Sequence, residues 1–168
     1  QVGDVELRLQ FFRPADWSAQ DERPAIVFFF GGGWKSGSPS HFAAQAEYLA
    51  TQGMVTCCAE YRITSVHGST AAQSVADAKS AVREARRRVG NDVPLHVVGY
   101  SNGGALAMKY ALDAIEDPKL ARPDKLILIS PMIGLTRFAR FAGVASWPAV
   151  FPAFAKAAWL GVVPEYNP

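Results

Sequence analysis

Gly99-Tyr100-Ser101-Asn102-Gly103-Gly104 follows the apolar run Leu95-His96-Val97-Val98 and opens a helix-like stretch from Ala105 to Ile115. That order predicts a strand, a tight turn carrying a serine, and a helix, which is the arrangement of a nucleophile elbow. The residue types suit the geometry. A serine at such a corner takes a strained backbone conformation, and the flanking glycines let strand and helix approach closely. A hydroxyl at a helix N-terminus also stands beside unpaired backbone N–H groups suited to a developing oxyanion. All three histidines, His41, His67 and His96, precede this serine. An elbow of this type ordinarily finds its acid and its histidine downstream.

Outward from the elbow the chain alternates strand-like and helix-like segments. Val5 to Phe11 alternates apolar and polar residues as a half-exposed edge strand does, and Arg13-Pro14 ends it. Ala25 to Phe30, Met54 to Ala59, Leu95 to Val98 and Leu126 to Ile129 are short continuous apolar runs, which suits strands buried on both faces of a parallel sheet. Between them lie three apolar stripes at helical spacing: Phe42, Ala46, Leu49 and Ala50; then Val75, Ala78, Val82, Ala85 and Val89; then Ala105, Met108, Leu112 and Ile115. Ser65 to Ala72 reads as a loop entering the second helix. The alternation predicts an α/β fold, a mostly parallel sheet with helices on both faces in three layers.

A second glycine cluster, Gly31-Gly32-Gly33-Trp34, follows the Ala25 to Phe30 strand directly. Three glycines allow main-chain N–H groups to turn inward unobstructed, as an oxyanion hole for acyl transfer requires. A flexible strand-to-helix turn explains the same residues when the loop is taken alone. A phosphate loop does not, since Lys35 follows Trp34 and the Gly-Lys-Ser/Thr ending is missing.

With 168 residues and 19% charged residues, the chain is sized for one compact domain and is too apolar for disorder. A net charge of +2 gives no electrostatic footprint for nucleic acid. The run Arg86-Arg87-Arg88 falls where a helix should end, and reads as a solvated face that favours the helix dipole. Cys57 and Cys58 are adjacent in a strand-like segment and read as buried thiols, which leaves the redox compartment open. The chain begins with Gln1 and no signal peptide is visible. A processed N-terminus is the expectation, with a secreted or periplasmic location open. Phe141 to Val163 is long and apolar, but Pro148, Pro152 and Lys156 interrupt it, so a lid or core segment is expected rather than a membrane span.

Taken together, the Gly31-Gly32-Gly33-Trp34 loop, Glu60-Tyr61-Arg62 at a strand end, Ala76-Asp77-Ala78-Lys79 on the next helix and the elbow resemble the α/β-hydrolase superfamily. The branch is that of serine esterases and lipases related to the hormone-sensitive lipases and to bacterial acetyl-ester and feruloyl-type esterases. The resemblance runs from about Pro24 to Pro131. It implies Ser101 as nucleophile and, as oxyanion donors, the N–H groups of Asn102, Gly31 and Gly32, with Gly33 and Trp34 completing the substrate-facing loop. Phe30 stands where the family commonly has histidine, and Glu60 where it has aspartate.

The resemblance also implies two further strands after Leu126 to Ile129, bearing the acid and the histidine, so the C-terminal part of the fold is expected to be missing. Residues 1–134 then form an incomplete α/β-hydrolase core, and residues 135–168 a lid-like apolar segment of the same domain. The Leu126 to Ile129 strand is left as an edge open to another copy or a companion chain. His67, in a loop at the carboxyl ends of the strands, is the upstream candidate for a catalytic histidine; His41 ranks below it, and His96, at the far end of its strand, reads as structural. Asp77 is expected to tie down the loop containing Arg62. The expected function is cleavage of a small-molecule carboxylic ester through an acyl-enzyme on Ser101, with no cofactor and no metal. The competing expectation is an incompetent or split fragment that binds a ligand or needs a second chain to supply Asp and His.

Overall fold

The computed structural model describes residues 5–18 and 20–133. The expected lid at residues 135–168 and the apolar stretch from Phe141 to Val163 lie outside the described residues. Five strands, β1 (Leu9–Phe12), β2 (Ala25–Phe29), β3 (Val55–Ala59), β4 (Leu95–Tyr100) and β5 (Lys125–Ile129), form one sheet in the order β1-β3-β2-β4-β5. Only β1 is antiparallel, pairing with β3; the other neighbours run parallel. β2 and β3 are buried at every position, as their continuous apolar runs require.

Helices cover both faces. Along β3 successive side chains alternate between them. The Thr56 hydroxyl donates to Ala46 C=O on helix α1 (Ala43–Thr51), whereas Cys57 faces the Glu84 and Arg88 side of the other helical layer. Cys57 and Cys58 therefore point to opposite faces, both buried and free. Burial pushes both thiols up, Cys58 to about 11, so neither is a thiolate near neutral pH. A single 3-10 turn, Pro39–Phe42, precedes α1, and its Phe42 ring stacks 4.9 Å from Phe28.

Between β3 and β4 runs α3 (Ala71–Val89), started by a capping box in which Thr70 and Gln73 exchange side-chain-to-backbone hydrogen bonds. All five residues of its expected stripe, Val75, Ala78, Val82, Ala85 and Val89, are buried. Arg86 donates to the carbonyls of Gly90 and Asn91 beyond the helix end, while Arg87 and Arg88 pair with Glu84. The basic run is thus a helix-terminal solvated face, as expected.

Three expectations need correction. The edge strand is shorter than Val5 to Phe11, because the Glu60 carboxylate takes the Arg8 N–H at 2.9 Å and replaces a ladder partner there. Ser65 to Ala72 is not simply a loop. A four-residue helix, α2 (Thr64–His67), closes against Gly68 in the left-handed region at φ 59°. On α4 (Asn102–Glu116), the buried face is Gly103, Ala105, Leu106, Ala107, Tyr110 and Ala114, whereas Leu112 and Ile115 of the expected stripe are 42% and 61% exposed. Close approach to the sheet at the first turn selects Gly103 there, and the buried face follows the line of Leu106, Tyr110 and Ala114 rather than that of Leu112 and Ile115.

Asp77, buried in α3, accepts from the Arg62 backbone N–H at 2.9 Å and from its guanidinium at 2.7 and 2.8 Å. The tether expected from the sequence is present. Asp77→Asn removes the charge from a buried pair and is expected to cost about 3 kcal/mol in urea unfolding, as breaking such a pair does; an unchanged midpoint would count against the tether.

Candidate active site

Ser101 sits at the corner between β4 and α4 with φ 54° and ψ −122°. A non-glycine residue in such a conformation costs about 1–3 kcal/mol and persists only where its surroundings over-determine it. They do so here. Ser101 N–H donates to Ile129 C=O at 3.0 Å, and Ser101 C=O accepts from Met132 N–H and Gly104 N–H, both at 3.0 Å. The last residue of β5 and the segment that leaves it thus hold the serine backbone from both sides, a part the sequence did not reveal.

The glycine loop meets this corner because β2 lies beside β4 with Phe29 opposite Gly99. Two residues further along each chain, Gly31 and Ser101 stand abreast. A Cβ on Gly31 would lie 2.6 Å from the Tyr100 ring and 3.1 Å from Ser101 Cβ, so any side chain would invade the corner. Gly32 has φ +143°, and a Cβ there would strike Ser36 C=O at 2.0 Å. That turn is closed by Lys35 and Ser36 N–H groups on Gly32 C=O, at 3.1 and 3.0 Å. Trp34 is buried, and its carbonyl takes Thr64 N–H at 2.8 Å, joining the loop to α2.

Among the described residues no loop hydrogen bond uses the N–H of Gly31 or Gly32, and Asn102 opens α4, where helix N–H groups lack intrahelical partners. Gly33 differs. Its N–H donates to Asn102 Oδ1 at 2.8 Å and is already committed. The Asn102, Gly31 and Gly32 amides thus have no hydrogen-bond partner among the described residues, whereas that of Gly33 serves the loop.

The histidines are distributed otherwise than the sequence ranking suggests. Nδ1 of His67 accepts the Ile63 N–H at 3.1 Å. A neutral imidazole that accepts through Nδ1 carries its proton on Nε2, so in this arrangement Nε2 is a donor and Nδ1 is already engaged. His67 caps α2. His67→Ala is expected to slow reaction at Ser101 far less than the ~10²-fold that losing a general base costs, measured as the rate of covalent capture by a fluorophosphonate. His41, ranked lower, has its ring 5.0 Å from that of Tyr100, the residue before the serine. His96 lies at the start of β4, away from Ser101, as expected.

A groove of about 460 Å³ near β1 and α3 is lined by residues including Leu9, Asp77, Glu84 and Arg88, and none of its lining belongs to the elbow or the glycine loop. Backbone geometry, not concavity, marks the site. Among the described residues no group of three or more His, Cys, Asp or Glu converges as metal ligands would, and no helix is long and apolar enough to cross a membrane.

A mostly parallel three-layer sheet with a strained serine at a strand-helix corner, facing a glycine loop from the adjacent strand, defines a hydrolase of the elbow type. A family model for the alpha/beta hydrolase fold matches residues 26–160. The chain belongs to that family, as the sequence resemblance implied. It is similar to solved structures of Thermogutta terrifontis esterase 2. The propionate-bound form is 44% identical with a TM-score of 0.72, over 81% of this chain and 54% of that one. The butyrate-bound form is 39% identical with a TM-score of 0.73, over 95% and 59%. The form phosphonylated by sarin is 42% identical with a TM-score of 0.71, over 81% and 53%. The chain thus spans little more than half the length of these esterases. No curated protein matches.

Proposed function

We propose that the protein is a serine esterase that cleaves carboxylic esters with short acyl groups through an acyl-enzyme on Ser101. The observation that carries this is the left-handed backbone of Ser101, held abreast of Gly31 on the adjacent strand. In this reading Ser101 Oγ bonds to the ester carbonyl carbon and gives up its proton. The carbonyl oxygen, now negative, accepts hydrogen bonds from the Asn102, Gly31 and Gly32 amides. The C–O bond to the alcohol breaks, the alcohol leaves with the proton, and water then releases the acid. The esterase 2 structures with propionate and butyrate bound support short acyl groups, and the sarin-phosphonylated form supports a nucleophile of this kind in the relatives. The resemblance implies an acid and a histidine on strands beyond Leu126 to Ile129, and these relatives are longer than this chain.

The test is direct. The full-length protein is treated with a fluorophosphonate and weighed intact; one adduct mapping to the Ser101 peptide is expected, together with faster hydrolysis of p-nitrophenyl butyrate than of a long-chain ester. Folded protein that takes up no label would overturn the proposal. A second reading, in which Ser101 works only with a companion chain seated on β5, is favoured by the exposure of Leu126, Ile127 and Ile129 at 36%, 46% and 41% on the last strand of the described sheet. Labelling that appears only when a longer homologous chain is added would favour it.

A further inference from the structure

Two buried side chains join the glycine loop to the elbow. Asn102 is completely buried; its Oδ1 accepts from Gly33 N–H at 2.8 Å, and its Nδ2 donates to the Tyr61 hydroxyl at 3.0 Å. Tyr61 is buried to the same degree and donates its hydroxyl to Phe30 C=O at 2.6 Å. Its ring lies flat against that of Phe30, with centroids 4.1 Å apart. Each donor meets an acceptor, so the chain of bonds from Gly33 through Asn102 and Tyr61 to Phe30 is complete.

The consequence follows from the planarity of the peptide bond, which points N–H and C=O in opposite directions. Tyr61, by holding Phe30 C=O, sets the direction of Gly31 N–H. Asn102, by holding Gly33 N–H, secures the Gly32–Gly33 plane, whose C=O is already held by Lys35 and Ser36. The Gly31–Gly32 plane lies between two secured neighbours. Three successive glycines would otherwise be the most mobile stretch a chain can offer, and donors that must reorient during reaction stabilise charge poorly. Asn102 spans both halves of the arrangement, since its own N–H lies on the elbow while its side chain grips the loop.

We infer that Asn102 and Tyr61 are positioning residues that preorganise the Gly31 and Gly32 amides for the oxyanion. The inference rests on Ser101 being the nucleophile. Burial pushes the Tyr61 phenol well above its usual range, so the hydroxyl keeps its proton and remains a donor.

The experiment uses the full-length protein and its Tyr61→Phe, Asn102→Ala and double variants, with fluorophosphonate capture resolved into an affinity and a maximal rate. Each single variant is expected to lower the maximal rate by ~10²-fold, the scale of one lost oxyanion donor. Affinity should change by less than about 3-fold, and the double variant should be no slower than the worse single, because groups acting as one unit are not additive. Hydrogen exchange over residues 31–37 should accelerate in Asn102→Ala while α3 keeps its protection. Tyr61→Phe preserves shape, so it provides a folded variant if Asn102→Ala unfolds. Wild-type rates in the folded variants, or a loss confined to affinity, would overturn the inference while leaving the nucleophile in place. A wild-type protein that is itself unreactive would overturn the nucleophile, and unchanged exchange over residues 31–37 would separately overturn the clamp.

Discussion

Ser101→Ala is expected to lower covalent capture by a fluorophosphonate by about 10⁶-fold, the scale seen when a serine hydrolase loses its nucleophile, while leaving the unfolding midpoint where it was. The two halves of this expectation have different physical sources. Reactivity vanishes because the attacking oxygen is gone. Stability stays because alanine keeps the Cβ, and the clamping bonds to Ile129, Met132 and Gly104 come from the backbone of residue 101, not its hydroxyl. Ser101→Gly separates the two further. It removes the Cβ from a residue at φ 54°, and should stabilise the fold by about 1 kcal/mol once the entropic cost of glycine is set against the strain released. Capture of Ser101→Ala at the wild-type rate would place the nucleophile elsewhere.

Gly103→Ala is expected to destabilise the protein by more than about 4 kcal/mol, a size reserved for steric or burial failures in the core, and in practice to prevent soluble folding at 37 °C. A Cβ at this position would fall 2.2 Å from Phe30 C=O and 2.3 Å from Phe29 C=O. No side-chain rotation relieves a clash with main chain. Either α4 must lift off β2 or the end of β2 must move, and that end leads directly into Gly31. Melting curves of the variant, set beside those of an exposed control such as Leu112→Ala, measure the effect. A loss below about 1 kcal/mol, the ordinary cost of a point substitution, would mean that the helix and strand are not in contact as described.

Much of the architecture was legible in the chain because its signals are local. Continuous apolar runs mark β2 to β5 to within a residue or two, and the stripe on α3 is buried at every expected position. Asp77, on a helix with charged neighbours, was expected to tie down the loop containing Arg62, and it does. The face of α4 was not readable. Hydrophobicity pointed to Met108, Leu112 and Ile115, but the close approach of the helix to the sheet at Gly103 turns the line of Leu106, Tyr110 and Ala114 inward instead. Hydrophobic spacing carries no information about that distance. The helix at Thr64–His67 was equally hidden, since it is held by a histidine accepting a backbone N–H four residues away. Tyr61 belonged to a motif without a role; a large phenol immediately after a buried strand, in need of an acceptor, was the available signal.

By itself the chain determined the order of strands and helices, the serine at a strand-helix corner and the glycines around it, since steric demands and hydrophobic period act within a few residues. Only the tertiary structure decided which N–H of the glycine loop is already bonded, which histidine nitrogen bears the proton, and which side chains hold the glycine loop. The first and last of those facts depend on β2 lying next to β4 in a particular register. That register brings residues 33 and 102, far apart in the chain, within one hydrogen bond of each other.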